Sequence, residues 1–288
     1  MKWLEFDSLV NARDVGGTPT VDGDLIRTGR LLRSDNLQGL TAADIDRLVA
    51  LRVTDIVDLR STYEVHHEGP GPLVGDSRVR IHHHSFIPEQ YDASKPKAPG
   101  AGGSGAGADV LPDTRDEAKA IQVDAHGKEL PGNALPFDGY RPSIQVKDKF
   151  ASTYLSFLNE RPESVLAALR AIAYAPGAAL VHCAAGKDRT GTAVALSLVL
   201  VGAEPGAVIE DYAASSERMQ LIIDRLIGSE TYRQNLTGRP LESHLTKPET
   251  MQAFLEYADS EHGGVERMLT MMGWTDTDTA AMHRKLRG

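Results

Sequence analysis

The chain has 288 residues, 25% of them charged, and a formal net charge of −9; that balance argues against a nucleic-acid binder and against tight adsorption to an anionic membrane. Its 41% hydrophobic content suits a soluble globule with a sizeable core, and no apolar run approaches the ~18 residues of a membrane span. A single cysteine rules out an internal disulfide and makes a cytoplasmic location the default expectation, and the N-terminus lacks the basic start and apolar stretch of a secretory signal.

Residues 1–23 read as a loop-rich lead-in. There Arg13 and Asp14 with Gly16 and Gly17 suggest a buried ion pair and a turn, a border to a phosphate pocket being the alternative. Residues 24–33 alternate as a strand or hairpin does. Thr41 opens a helix with Asp44 three residues on, an approximate capping box, and Ile45, Leu48, Val49 and Leu51 form its apolar stripe. A strand over residues 53–59 follows. Arg60 and Glu64, four apart, read as a structural pair, with Arg60 near the pocket as the alternative. Residues 79–86 read as another strand. It carries His82, His83 and His84, of which only His82 and His84 share a face; two histidines are too few for a closed zinc site, so no metal is expected.

Residues 95–142 are rich in Gly and Pro and cannot bury enough surface to order themselves, apart from a short helix capped by Asp113. They read as a flexible insertion, either a disordered surface segment or a lid over the site described below. From Lys147 onward the chain reads mainly helical. Phe150, Tyr154, Leu155 and Leu158 form one stripe, and Pro162 starts a second helix that buries Leu166, Leu169 and Ile172. Pro205 starts another, carrying Val208, Ile209 and Tyr212. Thr246 and Glu249 have the T-x-x-E spacing of a capping box, and the Met and Leu stripes after Met268 read as core.

The chemistry concentrates in ten residues between these helices, His182 to Gly191, reading H-C-A-A-G-K-D-R-T-G. An apolar run from Ala178 leads in as a buried strand, and a longer one from Ala193 leads out as a buried helix. A strand, a tight loop and a helix N-terminus make an anion trap of converging N–H groups and partial positive charge. Cys183 beside those groups and Arg189 is favoured as thiolate, a strong nucleophile. The planar fork of Arg189 can grip two oxygens of a tetrahedral dianion. Ala184, Ala185, Gly186, Lys187, Asp188 and Arg189 supply the cradle, Thr190 can donate its hydroxyl to the sulfur as it leaves, and His182 suits orienting the loop. A nucleotide-binding loop would need G-x-x-x-x-G-K-[ST]; Val181 occupies its first glycine position and Asp188 follows its lysine, so that reading fails twice.

H-C-x5-R resembles the loop signature of the cysteine-dependent protein-tyrosine phosphatases, and H-C-x-x-G-K-D-R-T-G resembles the bacterial tyrosine/lipid phosphatase group. The motifs N-A-R-D-V-G-G from Asn11, G-R-L-L-R-S from Gly29 and T-D-I-V-D-L-R-S from Thr54 resemble that group's N-terminal motifs, in the same order, and the likeness spans roughly four-fifths of the chain. The resemblance implies hydrolysis of a phosphoric monoester through a phosphocysteine, with phosphotyrosine proteins as leading substrates and phosphoinositides as runner-up, Lys187 being a cation that phosphotyrosine alone does not demand. No cofactor is implied. The general acid is Asp188, whose carboxyl group keeps its proton more readily beside a bound dianion, or else Glu89 or Asp92, which lie where the related group carries an acidic residue. A silent phosphate-binding module and metal-dependent hydrolysis through the histidines are the competing classes. Export by a route that leaves no mark in the sequence is the alternative location. The expected architecture is one α/β domain over residues 1–288, with a mostly parallel sheet of about four or five strands, helices on both faces, the phosphate loop at a strand's C-terminal end and a helix-rich C-terminal half.

Overall fold

A computed structural model describes residues 1–69, 71–88 and 141–288. The expected acidic residues Glu89 and Asp92, the helix capped by Asp113, and all but the last two positions of the 95–142 insertion lie outside the described residues.

The described residues build one six-stranded sheet in the order β1-β2-β3-β6-β4-β5. Its strands are β1 (Lys2–Trp3), β2 (Arg13–Asp14), β3 (Leu31–Ser34), β4 (Val53–Asp58), β5 (Arg80–His83) and β6 (Ala178–His182). β3, β6, β4 and β5 run parallel, and β1 and β2 extend the edge antiparallel. The two edge strands have two residues each, too short to leave an alternating pattern, so the expected strand number falls short. Of residues 24–33 only the end enters the sheet, as β3; the earlier part makes an isolated bridge between Pro19 and Leu25.

Side chains alternate across the sheet as a strand's period of two requires. Leu31, Val57, Ala179 and Val181 face a large core. That core is built with α3 (Lys149–Glu160), α4 (Pro162–Ala173), α5 (Asp188–Leu200), α6 (Pro205–Ala213) and, further on, α9 (Pro248–Tyr257), α10 (Val265–Met272) and α11 (Asp276–Leu286). Leu32, Ile56, Ala178 and Leu180 face a smaller core against Leu48 of α1 (Ala42–Ala50). Helices therefore cover both faces, the arrangement that buries parallel strands. The remaining helices, α2 (Thr62–Glu68), α7 (Met219–Ile227) and α8 (Glu230–Leu236), gather at the C-terminal ends of the strands. Among the described residues no helix is long and apolar enough to cross a membrane.

Thr41 caps α1 in a complete capping box with Asp44. Asp44 also accepts from the backbone of Asp7 and Ser8, which ties the N-terminal segment to α1. Two stripe positions are exposed after all: Val49 and Phe150 are 37% and 39% accessible, each at the border of its apolar face. The box expected at Thr246 is not made. Lys247 is the N-cap of α9 and gives no side-chain cap, while the Thr246 hydroxyl bonds Ser216 and the Ala213 carbonyl, tying the start of α9 to the end of α6 instead.

Thr41→Ala removes one cap bond and is expected to lower unfolding free energy by about 1 kcal/mol while leaving the loop after β6 untouched; urea unfolding followed by tryptophan fluorescence reads it.

Candidate active site

β6 lies between β3 and β4, and the loop that follows it opens at the carboxyl ends of three parallel strands. This is the switch-point position at which open α/β sheets place ligands. β6 ends at His182, Cys183 follows buried, and α5 begins at Asp188. All the loop residues expected to form the cradle are thus brought together in one turn.

Three consecutive carbonyls of the loop point outward to donors from the N-terminal part of the chain. Ala184 O accepts from Asn36 N at 2.9 Å, Ala185 O from Asn11 Nδ2 at 2.9 Å, and Gly186 O from Arg33 Nη2 at 2.7 Å. In a trans peptide the N–H points opposite to the carbonyl. The N–H groups of Ala185, Gly186 and Lys187 therefore face the inside of the loop, where an anion would sit. Gly186 has φ +69°, and a Cβ there would lie 2.3 Å from Ser34 O. Only glycine allows that close approach.

The donors are themselves held. Arg33 Nη1 lies 2.5 Å from Asp211 Oδ2, and Arg13 Nε lies 2.9 Å from Asp211 Oδ1. Arg13 also donates to Asn11 Oδ1 at 2.6 Å. Arg13 is in a buried ion pair, but its partner is Asp211 of α6 and not the expected Asp14. Asp14 accepts instead from Gly16 N and Gly29 N, which makes the turn. Burial disfavours the Asp211 carboxylate, but the two guanidinium groups outweigh it and hold its pKa at about 2.

Arg189 is placed by Glu64. Its Nη1 and Nη2 reach the two carboxylate oxygens of Glu64 at 2.5 and 2.9 Å, a bidentate pair with both side chains buried. Glu64 is also the third residue of α2 and closes a capping box with Ser61, and its Oε1 accepts from Tyr232 at 3.3 Å. Burial works against the Glu64 carboxylate, yet Arg189 keeps its pKa below the ordinary value. The Arg60–Glu64 pair expected from spacing is not formed. Arg60 precedes the N-cap Ser61, so it is not on the helix face, and its guanidinium turns back on Asp58 with Nη2 at 2.5 Å.

Asp188 occupies the first position of α5. Its Oδ1 accepts from Tyr154 Oη at 2.5 Å, and its Oδ2 is 3.6 Å from Lys187 Nζ. Lys187 leaves the cradle for the rim, donating to His244 O at 2.7 Å and lying over the Phe150 ring at 5.8 Å. Thr190 Oγ1 is buried without a hydrogen-bond partner among the described residues. His182 Nδ1 is 3.3 Å from the Cys183 carbonyl, and burial pushes the His182 pKa down to about 4, so the ring is neutral near pH 7. His82 bonds Asp55 and His83 bonds the Arg60 carbonyl; among the described residues no His, Cys, Asp or Glu cluster is suited to hold a metal.

A model of the tyrosine phosphatase family matches residues 4–288. The chain belongs to that family. It is 31% identical over 215 residues to a protein of Cupriavidus necator named as a tyrosine-protein phosphatase, covering 75% of this chain and 63% of that protein. It is 29% identical over 226 residues to the triple specificity protein phosphatase PtpB of Mycobacterium tuberculosis, covering 75% of this chain and 70% of that one. The chain thus spans less than two thirds of the first relative's length.

Within this member of the tyrosine phosphatase family, sequence reasoning did not find Asp211, Tyr154 or the tie from Glu64 to Arg189. Asn11 and Arg33 stood inside quoted motifs, which was the available signal. Tyr154 and Tyr212 read as core because they fall on apolar stripes.

Two outcomes follow from this geometry. Glu64→Gln keeps the cap but removes the charge that aims Arg189, and kcat/KM is expected to fall by about a hundredfold, measured on an aryl phosphate. His182 is neutral in the fold but takes a proton in the unfolded chain below pH ~6.5. Its contribution is present above that value and lost as pH falls toward about 4. Urea midpoints at pH 7 and pH 4.5 are expected to differ less in His182→Gln than in the wild type.

Proposed function

We propose that this chain hydrolyses phosphotyrosine in proteins through a phosphocysteine intermediate. The observation that carries the reading is the loop after β6, in which outward carbonyls leave N–H groups facing inward beside Cys183 and a guanidinium aimed by Glu64. Such a site neutralises the spread charge of a transferring phosphoryl group, which is most of what phosphoryl-transfer catalysis requires. Family membership supports the same reading.

In the first step the Cys183 thiolate attacks phosphorus, an S–P bond forms and the P–O bond to the tyrosyl oxygen breaks. Asp188 protonates the departing oxygen. Arg189 and the loop N–H groups hold the equatorial oxygens. In the second step water gives a proton to Asp188 and attacks phosphorus. The S–P bond breaks, inorganic phosphate leaves, and Thr190 donates to the sulfur as its charge returns. No step calls on a metal ion.

A second reading, hydrolysis of phosphoinositides by the same chemistry, is supported by Lys187. Its ammonium group stands at the rim, beside Asp188 and not under the cradle, where a further phosphate on a substrate would meet it. The mycobacterial relative is named a triple specificity phosphatase, which is in keeping with more than one substrate class.

The test is phosphate release from a phosphotyrosine peptide and from soluble phosphoinositides, with a chelator present. Wild type is expected to turn over, and Cys183→Ser to lose at least about a thousandfold. Lys187→Ala is expected to lower phosphoinositide turnover more than peptide turnover; equal losses would remove the lipid reading. Binding of phosphate without release in the wild type would make the chain a silent binding module.

A further inference from the structure

We propose that the hydroxyl pair of Tyr154 and Tyr212 is the positioning element of the general acid, fixing the Asp188 carboxyl group so that one oxygen faces the leaving group. The inference rests on the reading of Asp188 as that acid.

Asp188 is at the first turn of α5, where a short side chain can rotate freely unless something holds it. Tyr154 Oη holds Oδ1 at 2.5 Å, and Tyr212 Oη holds Tyr154 Oη at 2.9 Å. Both rings are buried, 1% and 2% accessible, and meet edge to face with centroids 6.1 Å apart. They come from different helices, α3 and α6, so the contact is a tertiary one and does not arise from either helix alone. A buried phenol needs a partner, and the chain has placed two of them in series with the carboxylate at the end. On the far side of Tyr212, Thr250 of α9 donates its hydroxyl proton to Asp148 Oδ2 at 3.2 Å, which ties α9 to the start of α3.

The protonation of the pair suits this task. Burial first, then the nearby Asp188 charge, raises the Tyr154 pKa well above 10, and burial and Asp188 raise Tyr212 as well. Both phenols thus keep their protons. Oδ1 therefore has a neutral donor at every stage of turnover, and the exchanging proton is left to Oδ2. The charged groups near Asp188 do not duplicate that hold. Lys187 Nζ is 3.6 Å from Oδ2 but is engaged by His244 O at 2.7 Å. His244 senses Asp188 only through space.

A positioned acid matters in proportion to how poorly the leaving group departs unaided. The experiment compares kcat/KM for phenyl phosphate, a poor leaving group, with that for 2,4-dinitrophenyl phosphate, a good one. The variants are Asp188→Asn, Tyr154→Phe, Tyr212→Phe and Asp188→Asn with Tyr154→Phe. In Tyr154→Phe the loss with phenyl phosphate is expected to exceed the loss with the dinitrophenyl ester by about tenfold, with a smaller excess in Tyr212→Phe. The double variant is expected to show no more excess than Asp188→Asn alone. Equal losses on the two esters in both tyrosine variants, with the excess retained in Asp188→Asn, would overturn the inference and leave the acid assignment standing. Equal losses in Asp188→Asn would overturn the assignment and the inference with it. Should Tyr154→Phe fail to fold by thermal unfolding, Tyr212→Phe carries the same comparison, and an unchanged ester ratio there counts against the proposal.

Discussion

A loop that points its N–H groups at a ligand must point its carbonyls at something else. Ala184, Ala185 and Gly186 are buried or nearly so, and an unmatched buried carbonyl costs free energy comparable to a lost hydrogen bond. The chain meets that constraint with Asn36, Asn11 and Arg33. Satisfying a carbonyl with an arginine then creates a buried charge, which needs a counter-charge. Asp211 supplies it and recruits Arg13, and Arg13 returns a hydrogen bond to Asn11. The circuit closes beneath the loop. Buried ion pairs of this kind add little net stability. What the circuit contributes is fixed geometry, together with a surplus of one positive charge among Arg13, Arg33 and Asp211 under a site built for an anion.

Arg189 is handled differently. Its counter-charge Glu64 is buried with it and uses both oxygens on the guanidinium, so the two neutralise each other before any substrate arrives. Arg189 is therefore not an unpaired buried charge. An incoming dianion is met by inward N–H groups, the positive end of α5 and the charge below the loop. The one residue ties β4's end to α5: Glu64 caps α2 and aims Arg189 through the same carboxylate.

Local grammar carried most of the fold across from the sequence. The parallel strands, α1 with its cap, the proline starts of α4 and α6, and the strand–loop–helix around Cys183 all rest on interactions within a few residues or on strict periodicity. What was illegible rests on partners far apart in the chain. Arg13 finds Asp211 198 residues away, and Glu64 finds Arg189 125 residues away. Spacing rules offered closer partners, Asp14 and Arg60, and the backbone turned each of these elsewhere. The i, i+4 rule holds only when both residues are on the helix, and Ser61 starts α2 one residue too late for Arg60. At Thr246 the T-x-x-E pattern was real as a string, but α9 begins after Lys247, and a threonine one residue before the cap has other bonds to make.

Gly191 joins the two halves of the site. Its position in the signature, straight after Thr190, looks like the ordinary small residue of a tight helix start, yet it lies inside α5, where glycine is a poor choice by about 1 kcal/mol. Its reason is across the interface: a Cβ at Gly191 would stand 2.9 Å from Tyr212 Cδ2 and 3.7 Å from Arg33 Nη2. A side chain there would push on the ring that supports Tyr154, and would stand in contact with the guanidinium that holds the Gly186 carbonyl. The guanidinium that holds the Gly186 carbonyl and the tyrosine pair that holds Asp188 are thus both packed against one glycine.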